Sequence, residues 1–260
     1  MKIVVLGFGR MGAWLSRVLS KSHAVSVYDT DVTKVPAPPI GHLDRLEDVA
    51  RIAPDVLVNA VTLDKTVAVF AEVVRYLPDS CILCDVASIK GRLAEYYKET
   101  GKRFVSLHPM FGPTFADMMR VEGENGVIIT GSCAEGRKLF EELFETLGVR
   151  VFDYSFEEHD RMMAYSLSTP FIASLVFASC VDAKTVPGTT FTRHMAIARK
   201  LLTEDDSLLE EILFNPHSLG EIERITSRLE FLKHVIKAQD ADEARRFFRR
   251  LRENVGTKVG

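Results

Sequence analysis

Two short stretches hold side chains whose types and spacing could do chemistry: Asp85-Val86-Ala87-Ser88-Ile89-Lys90 and His108-Pro109-Met110-Phe111-Gly112-Pro113. His108 is a titratable ring among proline and glycine at the end of an apolar run, and a neutral imidazole there is a proton acceptor near pH 7. Its alternative is a structural histidine with both nitrogens satisfied. Ser88 can hydrogen-bond a reacting hydroxyl, or serve only as the N-cap of the helix expected to follow it. A third stretch lies near the N-terminus, where Gly7, Gly9 and Gly12 follow the apolar Ile3-Val4-Val5-Leu6 in G-x-G-x-x-G spacing. With Arg10 and Met11 between the last two glycines, this is a dinucleotide turn. Gly7 permits the tight bend, Gly9 lets a pyrophosphate approach the backbone, and Gly12 lets helix and strand pack closely. Asp29 ends the next apolar run, where a carboxylate accepts hydrogen bonds from ribose hydroxyls and repels a 2′-phosphate. Thr30 and Asp31 follow it rather than a basic residue, which favours NAD over NADP.

These residues need a scaffold that gathers strand ends. Up to residue 154 the chain alternates short β-branched runs with amphipathic helical stretches, the rhythm of βαβ units. Strands are expected at 2–6, 24–28, 56–60, 82–85, 104–107, 127–130 and 149–153, and helices at 11–20, 46–52, 65–76, 91–98 and 135–146. The Pro36, Pro38, Pro39 stretch is a loop. The pattern predicts an α/β, Rossmann-type doubly wound parallel sheet, in which ligands collect at the carboxyl ends of strands. Both reactive stretches follow such strands.

Beyond residue 154 the strand signals stop. Ser155-Phe156-Glu157-Glu158 is an S-x-x-E capping box, which opens a helix. The domain boundary is placed there: a dinucleotide-binding domain at 1–154 and an all-α domain at 155–260. The segment 161–183 is apolar nearly all round, so burial in that domain or between subunits is expected, with Pro170 as a kink or break. Later helices are expected at 193–202, 208–214, 219–238 and 241–253.

Composition narrows the function. The 260 residues carry 33 Lys+Arg against 36 Asp+Glu, a formal charge of −3, and offer polyanions no long-range field, so nucleic-acid binding is not expected. The longest apolar candidate, 170–181, is interrupted by Ser174 and Ser179, so no membrane span is expected, and glycines break any signal-peptide core. The four cysteines are too scattered for a disulfide framework and fit a reducing cytoplasm. Cys81 and Cys84 form a single C-x-x-C without a second pair, so they are expected buried and reduced, with no metal site. Arg245, Arg246, Arg249, Arg250 and Arg252 give the last helix a basic, solvated face. The tail from Val255 to Gly260 has the character of a linker or a cut end.

The H-P-M-F-G-P run, the D-x-x-S-x-K run, the glycine fingerprint and the helical second part together resemble the prephenate dehydrogenase family, along essentially the whole chain. The resemblance implies oxidative decarboxylation of prephenate to 4-hydroxyphenylpyruvate with NAD(P) in tyrosine biosynthesis, or the corresponding reaction of arogenate giving tyrosine. It implies a homodimer through the helical domain, with the active site between domains. It assigns His108 to the ring hydroxyl of the substrate and Ser88 to a place near that hydroxyl and the nicotinamide. Gly188-Thr189-Thr190-Phe191-Thr192-Arg193 resembles a family segment whose arginine grips a substrate carboxylate, which makes Arg193 the anchor. Arg193 is also expected to open a helix, where a cation is unfavourable and calls for an anion. One departure stands out: where many relatives carry a substrate-holding His-Leu-Pro, this chain has Ser168-Thr169-Pro170, and the two hydroxyls are the substitute donors. His159 and Asp160 match a recurring family pair and are assigned to helix-entry structure. The competing readings are a dehydrogenase of the pyrroline-carboxylate or hydroxyacid type, and a nucleotide-binding regulator without turnover.

Overall fold

The computed structural model of the chain describes residues 1–112, 116–182, 184 and 186–256. Pro113, which ends the H-P-M-F-G-P run, Ala183 and the tail from Thr257 lie outside them.

The strands are β1 (Lys2–Leu6), β2 (Ala24–Tyr28), β3 (Gly41–His42), β4 (Val56–Asn59), β5 (Ile82–Asp85), β6 (Phe104–Pro109), β7 (Asn125–Ile129) and β8 (Arg150–Tyr154). They form one sheet in the order β3-β2-β1-β4-β5-β6-β7-β8. Their apolar runs are continuous because both faces are covered. Ile3, Val5, Val56 and Val58 belong to the core on one side, with Trp14, Phe140 and Phe144. Val4, Leu6 and Leu57 belong to the core on the other, with Phe70, Leu93 and Tyr97. The period of two along a strand thus divides each run between two cores.

The expected all-parallel sheet needs one correction. The first six strands pair in parallel, but β7 runs antiparallel to β6, with His108 opposite Val127, and β8 is parallel to β7. Among the described residues no helix separates β6 from β7, so the connection need not be a parallel crossover. Strand β3 was not foreseen; its two residues are too few to show alternation.

The helices α1 (Arg10–Leu19), α2 (Val49–Ile52), α3 (Leu63–Val73), α4 (Leu93–Thr100) and α5 (Ala134–Thr146) lie between strands. After β8 the chain is helical: α6 (Phe156–Met163), α7 (Thr169–Ser179), α8 (Thr189–Leu201), α9 (Asp206–Leu213), α10 (Ser218–Ala238) and α11 (Ala241–Asn254). The Ser155 hydroxyl accepts from Glu158 N, and Ser155 N donates back to the Glu158 carboxylate at 2.8 Å, so the capping box is present.

Pro170 does not break the helix. A π-helical turn over Ala164–Ser168 joins α6 to α7, and Pro170 falls in the first turn of α7. The wider turn absorbs the hydrogen bond that proline cannot donate. The result is a 24-residue helical run, Phe156–Ser179, long and apolar enough by length and composition to cross a membrane, which the reading of 170–181 alone did not foresee. Only part of it is covered: Phe171 and Ile172 are buried, whereas Tyr165 and Val176 are exposed.

Candidate functional site

The sheet order reverses beside β1, whose neighbours are β2 and β4, which is the place where sheets of this kind hold ligands at the carboxyl ends of their strands. Gly7 sits there at φ +87°, and a Cβ on it would meet the Ala60 carbonyl oxygen at 2.8 Å. A Cβ on Gly12 would lie 1.9 Å from the Gly7 carbonyl oxygen, so helix α1 packs against the turn as only glycine allows. Gly9, the N-cap of α1, has nothing within 4 Å of its Cβ position, and no side chain caps the helix. An open approach to uncapped helix N–H groups fits a pyrophosphate. Met11 packs against the core, so its backbone is what it offers a ligand. Arg10 is exposed and pairs with Glu204, beyond α8, at 3.6 Å.

Asp29 follows β2. One carboxylate oxygen accepts from Phe8 N at 2.6 Å and the other from Asp31 N at 2.8 Å. These bonds fix the carboxylate beside the glycine turn. Lys34 Nζ approaches it at 3.5 Å, a cation that the residues directly after Asp29 did not announce.

Further along the same edge of the sheet, β5 and β6 deliver the reactive stretches. Asp85 and Lys90 are fully buried and joined at 2.7 Å. Lys90 Nζ also donates to the Leu107 carbonyl at 2.6 Å, and Tyr97 OH to the second Asp85 oxygen at 2.9 Å. This buried pair ties the loop after β5 to the backbone next to His108. Losing one partner of such a pair costs about 3–5 kcal/mol. Ser88 lies in that loop, half-buried, and its hydroxyl has no hydrogen-bond partner among the described residues. It is not an N-cap, because α4 starts at Leu93 with Arg92 in the cap position.

His108 is 7% exposed on β6. Its Nδ1 lies 2.9 Å from Nε2 of the fully buried His159, whose Nδ1 lies 2.8 Å from Oδ1 of Asp160. Asp160 in turn accepts from Lys90 N at 2.7 Å and Gly91 N at 2.8 Å. Asn215 Nδ2 donates to the Asp160 carbonyl at 2.9 Å. Asp160 is therefore anchored from both parts of the chain. Burial pushes its pKa up, but hydrogen bonds from His159 and from the Lys90 and Gly91 amides outweigh this and hold it below the usual value. As an ionised acceptor it requires the proton of His159 on Nδ1, so His159 Nε2 accepts and His108 Nδ1–H donates. The chain of bonds leaves the lone pair of His108 on Nε2, which no hydrogen bond engages among the described residues.

Burial, reinforced by His159 and Lys90, drives the His108 pKa well below 6.5. Burial also lowers His159, against the opposing pull of Asp160. Both rings are neutral at pH 7. The assignment of His159 and Asp160 to helix entry alone is thus incomplete. Adjacency to a capping box suggested it, but from the N-terminal half of α6 the two side chains reach back to β6 and the β5 loop.

The remaining expected residues are elsewhere. Ser168 is fully buried, donates to the Ile212 carbonyl at 3.2 Å and accepts from Ser218 at 3.1 Å. Thr169 donates to Glu221 at 3.1 Å. Both hydroxyls bond between helices within the chain. Arg193 is exposed on α8 with no ion pair or hydrogen bond among the described residues, and nothing joins it to His108. Helix α8 begins at Thr189, so Arg193 lies a turn inside and the expected clash with the helix N-terminus does not arise. Cys81 and Cys84 are buried free thiols whose pKa values burial raises, that of Cys81 to about 12. Among the described residues no cluster could hold a metal ion. On α11 the arginines partly pair along the helix, Arg245 with Asp242 and Arg246 with Glu243.

The model of the family "Prephenate dehydrogenase, nucleotide-binding domain" matches residues 15–151, just over half of the chain. Arogenate dehydrogenase 2, chloroplastic, of Arabidopsis thaliana is 25% identical over 250 residues, 90% of this chain and 69% of that protein. The probable arogenate/prephenate dehydrogenase of Methanocaldococcus jannaschii is 22% identical over 204 residues, 72% of this chain but only 45% of that protein. In fold, the chain is similar to prephenate dehydrogenase from A. aeolicus in complex with hydroxyphenyl propionate and NAD+, with a TM-score of 0.84, 18% identity and coverage of 98% and 96% of the two chains. On this match over residues 15–151, the chain belongs to the prephenate dehydrogenase family.

Proposed function

We propose that the protein is an NAD-dependent dehydrogenase that converts prephenate to 4-hydroxyphenylpyruvate, with arogenate to tyrosine as the alternative. The observation that carries this reading is the Asp160–His159–His108 chain, which leaves an unprotonated Nε2 on a buried ring at the end of β6. Prephenate bears a hydrogen and a hydroxyl on C4, and a carboxylate on C1 of the same ring. His108 Nε2 takes the hydroxyl proton, C4 becomes a carbonyl, loss of the C1 carboxylate as CO2 aromatises the ring with its electron pair ending on the C4 oxygen, and the imidazolium returns the proton to that oxygen. Bound NAD would accept the C4 hydride. Gly7, Gly9, Arg10, Met11 and Gly12 would hold its pyrophosphate, and Asp29 its ribose. The Ser88 hydroxyl, without a partner, is available to the same substrate oxygen. The protein's share of catalysis is alignment and a base of the right tautomer.

Arg193, exposed and without an ion partner, is the proposed anchor for a substrate carboxylate, since a guanidinium can bind one bidentately. The hydroxyls of Ser168 and Thr169, the proposed donors to the second carboxylate, bond within the chain to Ile212, Ser218 and Glu221. We further propose the division into domains at 1–154 and 155–260, a cytoplasmic location, and a homodimer through the helical domain. The exposed apolar side chains Phe214, Leu219 and Ile236, at 73%, 67% and 74%, support a self-association surface.

The test offers prephenate and arogenate separately with NAD or NADP and follows both reduced cofactor and aromatic product. Turnover of prephenate with NAD and formation of 4-hydroxyphenylpyruvate is expected, with Arg193→Ala raising KM by about tenfold or more. Turnover of arogenate alone would select the alternative. Cofactor binding without turnover of either would point to a regulator.

A further inference from the structure

Helix α3 follows the loop that packs against the glycine turn, yet its own N-cap residue does not cap it: Thr62 makes no side-chain cap bond, although threonine is a favoured capping type. The carboxylate that fills the place comes from α9. Glu211 Oε1 accepts from Leu63 N at 2.5 Å, across 148 residues of sequence. What it holds is the loop 60–62. The Ala60 carbonyl is the atom that excludes a side chain at Gly7, and the Ala60 methyl lies 3.4 Å from the Cβ position of Gly12. From within, Asn59 ties this loop by accepting from Val61 N at 3.4 Å and donating to Thr66 O at 3.0 Å. Only Glu211 ties it to the helical part in this way among the described residues.

We propose that Glu211 is the N-cap of α3 supplied from the helical part of the chain, a positioning residue that sets the loop under the dinucleotide turn and so couples cofactor affinity to the seating of α9. The role in cofactor binding rests on the NAD reading above; the cap itself does not.

The charge state of Glu211 gives the coupling a direction. Burial, with like charge from Asp64 on α3 and Asp205 at the head of α9, raises its pKa to about 7 against the pull of the Leu63 and Asp64 amides. A carboxyl freed into water titrates near 4.5. The seated form therefore binds the proton more tightly than the released form, so seating is strongest below 4.5 and weakens as pH rises through about 7. The neutral acid still accepts the Leu63 N–H through its carbonyl oxygen.

The experiment compares the full-length wild type with Glu211→Gln and Glu211→Ala at pH 5.5 and 8. Protection factors of the Leu63 and Asp64 amides are read by NMR hydrogen exchange. NADH dissociation constants are read by energy transfer from Trp14, the single tryptophan of the chain. In the wild type, protection and NADH affinity should both fall by several-fold at pH 8. Glu211→Gln, a neutral isostere, should keep the pH 5.5 protection at pH 8. Glu211→Ala should lose about fivefold in protection relative to wild type at pH 5.5, the size of one lost cap, and fall little further at pH 8. Wild-type protection in the alanine variant at pH 5.5 would overturn the cap, and identical pH responses in wild type and Gln variant would overturn its titration. NADH affinity that ignores the protection changes would overturn the positioning role. Failure of the wild type to bind NADH would overturn the cofactor reading, and the coupling with it, while the amides alone still decide the cap.

Discussion

At the scale of single residues, the account turns on which nitrogen of His108 carries a proton. The ionised Asp160 can only accept, and two histidines in series pass that constraint to His108 Nε2. Keeping both rings buried and neutral has a thermodynamic consequence. Their folded pKa values lie below 6.5, so the unfolded chain takes up protons first as pH falls. Stability contributed by the neutral rings is complete above 6.5 and is lost progressively below it. The melting temperature should therefore drop between pH 7 and 5. In a His108→Asn, His159→Asn double variant the drop should shrink, and calorimetry across that range would show it; an unchanged slope would mean the rings are protonated when folded. His108 itself was legible in the sequence, because a histidine at a strand end among proline and glycine is a recognisable pattern. Its partners were not, because a pair 51 positions away becomes a neighbour only when α6 docks.

Elements were more legible than the contacts between them. Strands β1, β2 and β5 were foreseen to the residue, since apolar runs bounded by turn residues mark them on their own. Helix α8 was foreseen only from its second turn, and the π turn before Pro170 not at all, because local pattern cannot say that tertiary packing will carry a helix through a proline. The same limit explains Ser168. Its position suggested a ligand donor, whereas α9 and α10 enclose its hydroxyl with Ile212 O and Ser218. Ser168→Ala should cost about 1 kcal/mol of stability, the usual worth of one hydrogen bond, because Ser218 still satisfies the Ile212 carbonyl at 3.3 Å. Denaturant unfolding and a KM determination on the same variant separate the roles: a large rise in KM with unchanged stability would return Ser168 to the substrate.

Across the whole molecule, the helical part reaches the sheet through a few polar side chains. Asp160 meets the amides after β5, Glu211 meets the start of α3, and Glu204 meets Arg10 at the start of α1. All three contacts fall at the carboxyl edge of the sheet, where a cofactor and its substrate would lie. Apolar side chains on α7, α8 and α10, Val176, Ile197, Leu219 and Ile236, are exposed among the described residues. Sedimentation equilibrium should give twice the chain mass of 29.1 kDa, and a monomer at micromolar concentration would remove the helical surface as a dimer contact. The central claim is that the Asp160–His159–His108 chain supplies the base. Steady-state kinetics of His108→Asn and Asp160→Asn with prephenate and NAD test it most directly. The account predicts a fall in kcat of about 10²–10⁴ for the first and about 10² for the second, with KM changing much less. A kcat near the wild-type value in His108→Asn would contradict it.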